Sequence, residues 1–91
     1  MPSTNVTTTP AEAVPPNRRR RALIIQNNGT ENIIFAFRAN VTASGADAGL
    51  ILTPGESFTV GTLPRSGYDV ATPALHAVAA SGTQQLRWEE L

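Results

Sequence analysis

Ninety-one residues with no cysteine and one histidine make a single small domain and exclude a disulfide framework, a thiolate nucleophile, a cysteine-based zinc site and a two-histidine metal site within one chain. Seven basic residues, all of them Arg, balance seven acidic ones, so net charge declares no partner. No apolar run approaches the roughly 20 residues of a membrane helix, and the opening MPSTNVTTTPAEAVPP lacks the basic head, apolar stretch and cleavage signal of an export sequence, so neither membrane nor secretion is expected.

Residues 1–17 hold four Pro, four Thr, one Ser and two Asn, with only scattered apolar residues such as Val6, Ala11, Ala13 and Val14. Pro fixes φ and lacks a donor, and β-branched Thr favours extended backbone, so the segment is expected to be an extended N-terminal arm without a core of its own. Such an arm either stays floppy or lies along another protein chain, and the second is the expectation here. The boundary falls at 17/18, with a β-domain over residues 18–91.

From residue 22 the text is written in period two. Leu23 and Ile25 share one face, Ala22 and Ile24 the other, and Asn27, Asn28 and Gly29 supply a turn. The run NIIFAFRANV puts Ile33, Phe35, Phe37, Ala39 and Val41 on a predicted core face, with Ile34, Ala36, Arg38 and Asn40 opposite. Residues 42–49 read as a loop and LIL at 50–52 as a short strand. The turn Thr53, Pro54, Gly55, Glu56 stops it. SFTVGTL follows with Phe58 and Val60 inward, and residues 64–73 carry too many breakers to be regular. ALHAVAA is too short between Pro73 and Gly82 for a helix and reads as a strand of small side chains. Finally Leu86 and Trp88 alternate with Gln85, Arg87 and Glu89. Six strands separated by turns every 8 to 12 residues predict an all-β antiparallel β-sandwich or jelly-roll-like small barrel. A core with so few large side chains and no crosslink calls for self-association or docking on a larger surface.

No catalytic constellation emerges. His76 sits in an apolar run and is expected to be structural. Glu89 and Glu90 are adjacent and so point to opposite faces of a strand, where they cannot act together as acid and base. Asp47, Glu56 and Asp69 are too dispersed for a calcium loop, and the glycines form no phosphate-binding loop. Asn-X-Thr sequons at Asn5, Asn28 and Asn40 have no export signal to make them acceptors. No cofactor and no metal are expected.

Arg18, Arg19, Arg20 and Arg21 form one basic block. They can meet carboxylates on a partner bidentately, meet phosphates, or be solvated beside the first strand of the domain. Zero net charge and the lack of interleaved aromatics argue against nucleic acid. The first 45 residues carry five Arg against two acids and the last 46 two against five, a polarity suited to contacts between copies. Trp88 either completes the core or anchors self-association.

The stretches RRRRALIIQNNGTENI, LILTPGESFTV and ALHAVAASGTQQLRWEE resemble small β-sandwich virion proteins of tailed bacteriophages, most of all the head decoration, or cement, proteins. The likeness lies in a short strand ending in an Asn turn, a Leu-x-Pro-Gly-Glu type turn, and an Ala-rich strand followed by a Gly turn and a Leu-x-x-x-Glu strand. It covers residues 18–90 and leaves the arm outside. It implies a homotrimer on the outer surface of the shell, in contact with the major capsid protein, resisting internal pressure mechanically and assembled in the host cytoplasm, with no nucleic-acid or membrane partner. Carried onto this chain, Val6, Pro10, Val14, Pro15 and Pro16 would lie in grooves of the capsid protein and Arg18, Arg19, Arg20 and Arg21 would meet its acidic groups. The arm departs from the pattern in lacking large apolar residues, so its docking would rest on backbone hydrogen bonds. The alternative is a receptor- or carbohydrate-binding module of a head fibre or tail, for which Tyr68 and Trp88 are the only candidate aromatic platform.

Overall fold

The structure, a computed structural model, describes residues 2–37, 41–42, 49–61 and 74–91, and among them the alternation of apolar and polar residues becomes eight short strands and no helix. The strands are β1 (Ser3–Val6), β2 (Ala11–Val14), β3 (Ala22–Asn27), β4 (Ile33–Ala36), β5 (Leu50–Leu52), β6 (Ser57–Gly61), β7 (Leu75–Ala79) and β8 (Gln84–Glu90). They form two antiparallel four-stranded sheets, ordered β1-β8-β3-β6 and β2-β7-β4-β5. Only β4 and β5 are neighbours both in sequence and in a sheet; every other step along the chain crosses between layers.

Leu23 and Ile25 from β3, Ile33 and Phe35 from β4, Leu75 from β7 and Leu86 from β8 fill the space between the sheets, as their periodicity requires. Phe37 and Trp88 pack against this core from its margin. Residues 75–79 are a strand, in keeping with the reading of ALHAVAA. At the Pro54 turn, Glu56 N–H donates to Thr53 O at 2.9 Å and Gly55 takes a φ of 81°, which a side chain would strain.

Two expectations change. The long strand predicted after residue 32 ends at Ala36, and Val41 does not join Ile33 and Phe35. It is buried instead with Ile34 and Val78 in a second cluster on the outer face of β4 and β7, because outside the ladder nothing ties it to the period-two face. Arg38, Ala39 and Asn40, Asp47, and the segment with Tyr68 and Asp69 lie outside the described residues.

The larger change is at the N-terminus. The expected coreless arm over residues 1–17 is, from Ser3 to Val14, two edge strands of the same sandwich. β1 pairs with β8 from Ser3↔Arg87 to Val6↔Gln84, and β2 pairs with β7 with an irregularity between Glu12 and Val14. Val6, Ala13 and Val14 are buried in the core, Val14 completely. The reason is geometric: an edge strand faces the core with every second residue, so isolated apolar residues on extended backbone suffice. Thr4 fixes the pair, its hydroxyl donating to Ala13 O at 2.7 Å and accepting the Trp88 indole N–H at 3.1 Å.

Candidate functional site

At one end of the sandwich the chain leaves β2 through Pro15 and Pro16, whose missing N–H groups end the ladder, and enters β3 through Asn17 and the four arginines. Asn17 shapes this loop with both ends of its amide. Its Oδ1 accepts the Arg19 N–H at 2.9 Å, an Asx turn, and its Nδ2 donates to a Glu90 carboxylate oxygen. Arg20 N–H donates to Asn17 O at 3.4 Å, and Arg21 N–H to Leu91 O at 2.7 Å.

Four identical residues thereby acquire two fates. The Arg20 side chain is turned inward and fully buried; its guanidinium donates to Pro15 O at 2.9 Å and pairs with Glu90 at 3.2 Å. Arg18, Arg19 and Arg21 are exposed. Glu90 belongs to the inward parity of β8 with Gln84, Leu86 and Trp88, so its half-buried carboxylate stands at the inner rim. Burying the Arg20 guanidinium costs desolvation that the half-buried Glu90 carboxylate offsets only in part, so what this pair chiefly supplies is position. It locks a loop that presents three cations at a rim next to the exposed Leu91.

The residues expected to meet a capsid protein are not brought together. Val6 and Val14 are inside the sandwich and have no surface to offer. Arg20 has its carboxylate within its own chain. Pro10 is exposed in the turn between β1 and β2, at the end where Thr7 O accepts the Ala79 N–H, opposite the arginine loop. Pro15, Pro16, Arg18, Arg19 and Arg21 do cluster. Trp88 is half-buried against its own core, with its indole N–H engaged by Thr4.

His76 is half-buried on β7 between Glu12 of β2 and Ala36 of β4, with no hydroxyl beside it in the ladder. Its Nδ1 is buried without a hydrogen-bond partner among the described residues. No group of three His, Cys, Asp or Glu able to hold a metal occurs among the described residues.

Sequence reasoning missed two features. Glu90 was legible in principle: its parity with Leu86 and Trp88 puts a carboxylate on the apolar face, where it needs a cation. Leu50 and Ile51, 58% and 60% exposed, were not, because a three-residue apolar run does not announce that its strand is an edge. No family model, curated protein or solved structure matches the chain.

Proposed function

We propose that this chain is a non-catalytic structural protein of a virion, a decoration protein that docks on the outer surface of a major capsid shell through its arginine-bearing end. We read the strand order β1-β8-β3-β6 over β2-β7-β4-β5 as a jelly-roll wrapping, an architecture that viral shell and lectin domains share. Fold class alone does not assign a task. The observation that carries the reading is the loop at residues 15–21, tied down by the Arg20–Glu90 pair and the Asn17 turn, with Arg18 and Arg19 exposed. A loop ordered before contact loses little conformational entropy on docking, and guanidinium groups match carboxylates on a partner bidentately. The resemblance of the turn motifs to those of decoration proteins supports the same reading. The alternative of a carbohydrate-binding module loses Trp88 as a platform, since its ring is packed against the core.

Co-sedimentation with expanded, undecorated capsids tests this. The double variant Arg18→Glu, Arg19→Glu should fold normally and lose most of its shell binding, and binding by the unaltered chain should weaken as salt rises. Shell binding indifferent to both the reversal and salt would refute the docking surface.

A further inference from the structure

The two open sides of the sandwich are not alike. On one side Pro2 and Pro10 bracket β1, Pro10 and Pro15 bracket β2, and Glu12 puts a charge in β2. Prolines and charges are the devices by which sheet edges avoid pairing with other chains. On the other side lie β5 and β6, which among the described residues are the edges of their two sheets, joined by the Pro54 turn. Neither strand contains a Pro or a charge. Leu50 and Ile51 are more than half exposed, and Phe58 is 41% exposed although its ring centroid lies 5.4 Å from that of Phe35.

We propose that β6 pairs with β6 of a second copy of this chain, antiparallel and about a two-fold axis at Thr59, joining the two β1-β8-β3-β6 sheets into one of eight strands. The strand is self-complementary in this register. Ser57 stands opposite Gly61 of the other copy, Phe58 opposite its Val60, and Thr59 opposite its Thr59. Parity is kept, so each half-exposed Phe58 ring gains an apolar neighbour on the inner face while the Thr59 pair lies on the outer face. The same axis turns the two β5 edges, with Leu50 and Ile51, toward each other in the second layer.

Charge complementarity selects the register and the occupant. Within one copy Gly61 pairs with Ala22 of β3, so Arg21 lies one step beyond that pair, while Glu56 lies one step before Ser57. The two-fold pairing therefore places Glu56 of each copy two strands from Arg21 of the other, about 10 Å between backbones at about 4.8 Å per strand. Both residues are exposed, and although Glu56 Oε1 accepts the Thr53 N–H of its own turn at 3.1 Å, a carboxylate can accept a further bond, so the gap is within reach of the two side chains. Centring the axis on Phe58 would set Glu56 level with Leu23 instead and forfeit both ion pairs. Three residues of β5 and five of β6 make a smaller contact than the 20 to 30 residues a side of a standard interface, so the expected dissociation constant is on the order of micromolar. An isologous edge closes at two copies, whereas the trimer implied by the resemblance would need a heterologous contact.

Sedimentation velocity on the full chain without capsids, across the micromolar range, reads this independently of shell docking. The unaltered chain should show a monomer–dimer equilibrium. Thr59→Lys puts two ammonium groups at the axis from an exposed position and should weaken the dimer about tenfold or more. Glu56→Arg should weaken it, and adding Arg21→Glu should restore it, a rescue that holds even if the lysine variant folds poorly. A monomer at all concentrations, a trimer, a dimer unaffected by Thr59→Lys in a folded chain, or a charge swap without rescue would overturn the proposal.

Discussion

Asn27 is completely buried at the end of β3, and its side chain ties the two layers together. Its Nδ2 donates to Leu52 O in the opposite sheet and to Glu31 O, both at 2.8 Å, and its Oδ1 accepts the Gly29 N–H at 2.9 Å. Asn27→Ala would leave the buried Leu52 carbonyl, the part-buried Glu31 carbonyl and the Gly29 N–H without this partner. The expected loss is about 2–4 kcal/mol in urea unfolding; an unchanged midpoint would deny the residue this role. The sequence marks Asn27 as a turn residue, and so it is. What it does not mark is the carbonyl of Leu52, which depends on how the sheets stack. Gln84 is a parallel case at the same end of β8: its Oε1 accepts the Thr30 and Glu31 N–H groups, and its Nε2 donates to Ser81 O. Arg20 is hidden for a related reason. It precedes the first strand of the period-two text, and its carboxylate lies 70 positions away in the chain.

Among the elements, β3 to β8 were legible because each presents two or more large apolar residues in alternation or is bounded by Gly and Pro turns. β1 and β2 were not. Each gives the core only one or two small or medium apolar side chains, and their pairing is set by the vacant edges of β8 and β7, which no local signal encodes. The consequence is testable by deletion. Removing residues 1–14 strips Val6, Ala13 and Val14 from the core, uncovers edges of β7 and β8, and deprives Trp88 of the Thr4 hydroxyl. Each buried valine is worth about 1.5–3 kcal/mol against a total of about 5–15 kcal/mol for a small domain, so the truncated chain should lose its cooperative unfolding transition. A truncated chain that unfolds cooperatively at the original midpoint would return the segment to the status of an arm.

For the whole molecule, the architecture separates three surfaces: a guarded edge at β1 and β2, an open edge at β5 and β6, and the arginine rim. The proposed shell docking falls to the rim and the proposed self-pairing to the open edge, with Arg21 at the corner between them. That division lets Arg18 and Arg19 be altered for one activity and Thr59 for the other. The placement of β7 and β8 has a kinetic consequence. Each occupies an interior position of its sheet, between β2 and β4 and between β1 and β3, although both come late in the chain. Ser3 and Arg87, partners in the ladder, are 84 positions apart. A topology of such high contact order folds in milliseconds to seconds, and stopped-flow refolding followed by Trp88 fluorescence should resolve the whole native signal, with none of its amplitude lost in the mixing dead time. During synthesis, the β2-β7-β4-β5 sheet cannot close until the residues through Ala79 have left the ribosome, nor the β1-β8-β3-β6 sheet until those through Glu90 have, so Leu23, Ile25, Ile33 and Phe35 wait unshielded in the nascent chain, and the cell must manage that interval rather than the finished protein.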